Sequence, residues 1–259
     1  MADVNTMDLF RMDDQVVLVT GGTKGLGREM ALAFSEAGAT TALCSRSEAD
    51  CASVAAEISE STGNPCRGVS ADVTDESDVD DLFGKVVDEF GKLDVLVNSA
   101  GMNIRHPVEE FPLEEFRQII DVNLTGSWLC CRAAGRLLKP QGRGSVINIG
   151  STLGAVGLAE RSAYCASKAA IAGLTRTLAL EWAPYGVRCN ALCPGPFLTE
   201  INKPLLKTPE KVASLLSQTA FNRWGEMHEI RGAALFLASP ASTYVTGSSL
   251  FVDGGWTAQ

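Results

Sequence analysis

Short runs of β-branched and other apolar residues alternate with longer stretches of helical periodicity along the whole chain. Val16–Thr20, Thr40–Cys44, Arg67–Ala71, Val95–Asn98, Ser145–Ile149, Arg188–Leu192 and Ser249–Val252 read as strands. The segments between them, near 25–37, 48–61, 75–90, 113–138, 160–183, 208–219 and 226–238, read as helices. Val16-Val17-Leu18-Val19 and Val95-Leu96-Val97 are apolar at every position, as in strands covered on both faces. Strict alternation of this kind predicts an α/β protein. The expected fold is a doubly wound Rossmann-type sheet of seven parallel strands, with right-handed crossovers and helices on both faces. No Pro/Gly/Ser-rich linker, repeat or low-complexity tract intervenes, so residues 1–259 are expected to form one domain. One segment breaks the rhythm. Pro194-Gly195-Pro196-Phe197-Leu198-Thr199-Glu200 opens a long connection over 194–225, which reads as a lid above a crevice.

Composition narrows the partners. Apolar residues make up 46% of the 259 positions and charged residues 20%, enough for a large core. Lys and Arg number 22 against 31 Asp and Glu, giving a net charge of −9 and a pI near 4.8. Such a surface repels phosphate backbones and anionic lipid, so neither nucleic acid nor membrane is an expected partner. A small anionic substrate would need a local basic patch. Met1–Asn5 lacks the apolar core of a signal peptide, and no apolar stretch approaches the ~20 residues that span a bilayer. Cys44, Cys51, Cys66, Cys130, Cys131, Cys165, Cys189 and Cys193 form no C-x-x-C pair, which suits reduced thiols in the cytoplasm. His106 and His228 are far apart and are expected on the surface or in loops. A His-based metal site or Ser-His-Asp triad is therefore not expected.

The strongest chemical pattern follows the first strand. Gly21-Gly22-Thr23-Lys24-Gly25-Leu26-Gly27 joins that strand to the first helix, with four glycines in seven residues. Glycines let the backbone approach a pyrophosphate, and the helix start offers free N–H groups and a positive dipole end. At the end of the second strand, where an acid would bind the ribose 2′-OH of NAD, stand Ser45-Arg46-Ser47. Arg46 can hold a 2′-phosphate bidentately and Lys24 can add a second cation, favouring NADP(H) over NAD(H) without barring NAD(H).

Tyr164 and Lys168 stand four residues apart, thirteen residues after Ser151. Positions i and i+4 share a helix face, so the lysine is expected to lower the phenol pKa from its usual ~10. A phenol so tuned can move the proton of an alcohol while the serine hydroxyl holds the carbonyl oxygen.

Together with Asp72-Val73, Asn98-Ser99-Ala100-Gly101, Asn123 and Pro194-Gly195, these residues resemble the short-chain dehydrogenase/reductase family over nearly all of 12–257. The resemblance implies Tyr164 as general acid/base, Ser151 as positioner of the substrate oxygen, and Lys168 as holder of the nicotinamide ribose. It further implies that Asn123 helps carry a proton-relay water and that Asp72 and Val73 flank the adenine. Asn98, Ala100 and Gly101 would line the cofactor, Thr199 would touch its carboxamide, and the assembly would be a homotetramer. Ser99 departs from the family's usual second Asn, but a small polar residue keeps the turn. Gly101–Arg105, Gly195–Glu200 and Phe251–Trp256 are similar to gluconate 5-dehydrogenase-like members, with 3-oxoacyl-carrier-protein reductases next. Arg105 would stand at the crevice mouth, pairing with a sugar-acid carboxylate or with nothing. The rivals are a non-catalytic NADPH sensor, which would not need the Ser–Tyr–Lys set, and epimerisation or dehydration, disfavoured by the missing acid at Ser45. The tail Gly254-Gly255-Trp256 is expected to expose apolar surface at the sheet edge.

Overall fold

The computed structural model describes residues 5–200 and 202–258. Met1–Val4, within the segment read for a signal peptide, Ile201 in the expected lid and Gln259 lie outside the described residues. Strands β1 (Val16–Thr20), β2 (Thr40–Ser45), β3 (Cys66–Ser70), β4 (Val95–Asn98), β5 (Gly144–Ile149), β6 (Val187–Pro194) and β7 (Ser249–Val252) form one sheet. All pairings are parallel, in the order β3-β2-β1-β4-β5-β6-β7. Leu18 at its centre faces Ala42 on one neighbour and Leu96 on the other. Every residue of β1 and β4 is buried, because helices cover both faces.

Alternate side chains of β1 feed two cores. Val16 and Leu18 pack with residues of α3 (Glu76–Phe90), α5 (Gly126–Gln141) and α6 (Ser162–Trp182), among them Leu82, Leu138 and Trp182. Val17 and Val19 pack on the opposite face with α1 (Gly25–Glu36), α2 (Glu48–Thr62) and α8 (Arg231–Ala238), through Phe34, Ile58 and Leu237. Asp75 starts α3 by accepting the N–H groups of Ser77 and Asp78 at 2.8 and 3.0 Å. Among the described residues no helix is long and apolar enough to cross a membrane.

Several boundaries differ from the sequence expectation. Strand β6 runs longer at both ends because Val187 pairs with Gly144, and Cys193 and Pro194 pair with Phe251 and Val252. The segment expected as one helix over 113–138 is α4 (Leu113–Ile120), a π turn over Asp121–Thr125, and then α5. One residue inserted into a helix shifts the phase of the apolar positions but keeps their period on either side, so the spacing alone does not divide the segment. Helix α6 starts at Ser162 because Glu160 lies in the left-handed region at φ 63°. Over 226–238, a 3-10 turn Met227–Ile230 precedes α8. The tail does not expose its tryptophan: Trp256 is only 7% exposed. The Asp253 carboxylate accepts the N–H groups of Gly255 and Thr257 and the Thr257 hydroxyl, folding the tail inward.

The connection over 194–225 contains a 3-10 turn, Lys203–Lys207, and α7 (Pro209–Leu216). Phe197 bridges to Gly225 and is buried, which anchors both ends of the connection against the sheet.

Candidate active site

The carboxyl ends of β1, β4, β5 and β6 open into one cavity of about 670 Å³. Its wall runs from the glycine turn past Ser45, Arg46, Asp72 and Val73 to Ser151, Tyr164, Lys168, Pro194, Gly195 and Thr199. At the glycine turn, Gly21 has φ 64° and a Cβ there would lie 2.8 Å from the Ala100 Cα. A Cβ on Gly27 would lie 2.2 Å from the Gly21 carbonyl oxygen, so only glycine lets helix and turn meet. Lys24 precedes α1 without a side-chain cap, and Gly25, Leu26 and Gly27 line the cavity. The Thr20 hydroxyl accepts the N–H groups of Ser99 and Ala100 at 3.1 and 3.2 Å, pinning the exit of β4 to that of β1. Lys24 and Arg46 line the wall, and among the described residues neither forms an ion pair. One Asp72 oxygen accepts the Thr74 N–H and hydroxyl at 2.9 and 2.8 Å, which fixes the carboxylate beside Val73. A close-packed glycine turn, an uncapped helix start and two unpaired cations fit a phosphorylated dinucleotide.

At the other end, Ser151 follows β5 while Tyr164 and Lys168 lie one turn apart on α6. The Ser151 hydroxyl accepts the Leu153 N–H at 3.1 Å, and its interaction with the Tyr164 phenol favours the ionised form. Lys168 is buried, and its ammonium donates to the Ile149 carbonyl at 2.7 Å, 5.7 Å from the Tyr164 ring centre. Contrary to the expectation from spacing, the phenol is not pulled down. Burial pushes the Tyr164 pKa up, partly offset by the Ser151 hydrogen bond, and burial lowers Lys168 to about 8.

Two expected wall residues lie behind the wall. Asn98 is buried beneath it, donating to Asn148 Oδ1 at 2.9 Å and to Cys131 Sγ at 3.2 Å. Asn123 is wholly buried in the π turn. Its side chain clasps Met102, accepting the N–H at 2.8 Å and donating to the carbonyl at 3.0 Å, and also donates to Ser167 Oγ at 3.1 Å. Its neighbour Val122 reaches the cavity instead, as do Ser99, Ala100 and Gly101.

The wall also holds residues that sequence reasoning missed. Trp256 returns from the tail, and Leu205 and Leu215 descend from the 194–225 connection. Arg161, three positions before Tyr164, is the only cation among the missed wall residues described here, and its i−3 spacing was the one available signal. Arg105 is half-buried off the wall and donates to Asn202 Oδ1 at 3.2 Å. His106 is half-buried, with Nε2 2.8 Å from Glu115 Oε2, and His228 is exposed. Among the described residues no cluster of His, Cys, Asp or Glu is arranged to hold a metal ion.

Comparison with known proteins agrees with this geometry. A family profile described as enoyl-(acyl carrier protein) reductase matches residues 21–257. An NAD-dependent glycerol dehydrogenase of Listeria innocua is 36% identical over 252 residues, 96% of either chain. A D-threitol dehydrogenase of Mycolicibacterium smegmatis is 36% identical over 248 residues, covering 96% of this chain and 95% of its own. A gluconate 5-dehydrogenase from Burkholderia cenocepacia, solved in complex with NADP and tartrate, superposes with a TM-score of 0.95 at 34% identity. That match covers 98% of this chain and all of the other. The chain belongs to the short-chain dehydrogenase/reductase family.

Proposed function

We propose that this oxidoreductase catalyses reversible hydride transfer between NADP(H) and a secondary alcohol or ketone. The substrate class is a sugar acid or polyol, as in gluconate 5-dehydrogenase-like enzymes. The observation that carries the reading is the meeting of Ser151, Tyr164 and Lys168 with the glycine turn in one cavity. Gly21, Thr23, Gly25, Leu26, Gly27, Ser45, Asp72, Val73, Ala100, Gly101, Pro194, Gly195 and Thr199 hold the dinucleotide, with Lys24 and Arg46 on its 2′-phosphate. The NADP in the Burkholderia structure supports this preference, and the NAD-dependent name of the Listeria relative supports use of NAD(H) as well.

When bound, the nicotinamide supplies or accepts the hydride. In reduction, Ser151 and Tyr164 donate to the carbonyl oxygen, and the Tyr164 proton passes to it as negative charge develops. In oxidation the carbinol proton returns to Tyr164. Because Ser151 Oγ accepts the Leu153 N–H, its own O–H is directed away from that loop. The Lys168 charge favours the Tyr164 oxyanion through space.

The whole chain acts as one domain with 194–225 as its lid. Exposed Phe116, Trp128 and Leu180 on α4, α5 and α6 support a homotetramer, which light scattering tests. Eight free cysteines support a cytoplasmic setting. The deciding experiment is a steady-state screen of polyols, gluconate-type acids, ketogluconates and 3-oxoacyl thioesters with both cofactors. Turnover of a polyol or sugar acid with NADP(H) is expected. Tight NADPH binding without substrate-dependent oxidation anywhere in the panel would instead identify a sensor.

A further inference from the structure

Arg161 lines the reacting end of the cavity yet is only 6% exposed. A guanidinium has five N–H donors. Among the described residues, its polar contacts are all with Glu160: Nη1 donates to the backbone carbonyl at 3.2 Å, and the carboxylate lies 3.8 Å away, outside hydrogen-bond range. That carboxylate is also drawn toward Lys211 of α7, at 3.7 Å. A structural ion pair would bring carboxylate and fork into direct contact, and here they are held apart. Glu160 itself occupies the left-handed region at φ 63°, a strained setting for a non-glycine residue.

A second cation compounds the problem. Burial, and then repulsion from Arg105, brings the Arg161 pKa down to about 10. The charge of Arg105 also acts on Tyr164. Two guanidinium groups and the proton-donating hydroxyl therefore share one corner of a protein whose net charge is −9. A buried cation without a bonded counter-ion is unfavourable, and a planar carboxylate is the anion whose geometry matches the arginine fork. The positive end of the α6 dipole lies at the same point.

We propose that Arg161 anchors a carboxylate of the substrate, so that the cavity takes a hydroxy acid of the sugar-acid type in preference to a neutral polyol. The inference rests on the dehydrogenase reading and selects between its two substrate classes.

The test compares D-gluconate with D-glucitol, which carries CH₂OH in place of the carboxylate, using the intact enzyme and NADP⁺. Wild type should favour gluconate in kcat/KM. Arg161→Met should lower that gluconate/glucitol ratio about 100-fold, chiefly through the gluconate KM, and Arg161→Lys should restore part of it. Glu160→Gln should keep or raise the ratio; a fall matching that of Arg161→Met would mean that the arginine merely serves Glu160. The thermal midpoint of Arg161→Met should equal or exceed that of wild type, since an unpaired buried charge is removed. A ratio unchanged by Arg161→Met, or a wild-type preference for glucitol, would overturn the proposal. If neither alcohol nor any other member of the wider substrate panel is turned over, the dehydrogenase reading fails by itself. Calorimetric titration of gluconate into the NADP⁺-loaded protein then still decides the anchor: binding weakened by Arg161→Met supports it, and absence of binding rejects it.

Discussion

Lys168 stands 5.7 Å from the centre of the Tyr164 ring, yet it gives its hydrogen bond to the main-chain carbonyl of Ile149. The lysine therefore lies beside the phenol with no bond to the hydroxyl. Both groups resist ionisation where they sit, the phenol pushed up and the ammonium lowered to about 8. Ser151 offsets part of the upward push on the phenol.

Replacing Tyr164 with Phe removes the transferable proton and keeps the ring. Turnover should fall by ~10²–10⁴, the usual share of general acid–base catalysis, with folding and nucleotide binding retained. Steady-state rates beside a fluorescence titration of NADPH check this. Near wild-type turnover would remove Tyr164 from the mechanism.

Burial of Lys168 also makes stability depend on pH. Its folded pKa of about 8 lies below the 10.5 of a free lysine, so between those values the unfolded chain binds more protons and stability rises with pH. The gap amounts to roughly 3 kcal/mol of destabilisation at pH 7, fading as pH climbs toward 10.5. Lys168→Met loses the Ile149 hydrogen bond, worth about 1 kcal/mol, but should still be the more stable protein at pH 7. Its advantage should shrink steadily from pH 8 to 10 in urea unfolding of the protein without nucleotide. An advantage that stays constant over that range would contradict the lowered lysine.

Lys24 and Arg46 are expected to set cofactor choice. Arg46→Ala should reduce the NADP/NAD ratio of kcat/KM by about 10- to 100-fold, in keeping with loss of hydrogen bonds to a charged group. Lys24→Ala should act in the same direction with a smaller effect, because a single ammonium lacks the bidentate fork. Measuring both ratios tests the assignment, and unchanged ratios would mean that neither cation touches the 2′-phosphate.

Asn123 is predicted to act through Met102. Asn123→Ala deletes three buried hydrogen bonds and leaves the Met102 N–H and carbonyl without their side-chain partner. A loss of about 2–4 kcal/mol in stability is expected, together with faster hydrogen exchange at the Met102 amide. Unaltered exchange there would point to a role confined to ordered water.

What was legible in the chain followed from short-range physics. Val16–Val19 and Val95–Val97 announce themselves because a stretch buried on both faces is apolar at every position. The glycine turn and the Tyr164–Lys168 pair were likewise readable, since each is a local spacing. The π turn at Asp121–Thr125 was not, because one added residue shifts the phase of a helical pattern but keeps its period on either side. Nor does a motif reveal which way its side chains face: Asn98 and Asn123 sit at family positions yet point behind the cavity wall. Arg161 and Trp256 reach the wall only through tertiary folding, one past a left-handed residue and the other along a tail turned inward by Asp253.

The order of the strands reverses at β1, with β2 and β3 on one side and β4 to β7 on the other. The part of the crevice wall proposed to take the adenine and phosphates is built from Gly21 to Val73, and Ser151 and Tyr164 come from the other side of that reversal. Changes in the 194–225 connection, from Leu205 to Leu215, could thus retool the crevice for a new alcohol while the glycine turn and the ends of β2 and β3 stay as they are.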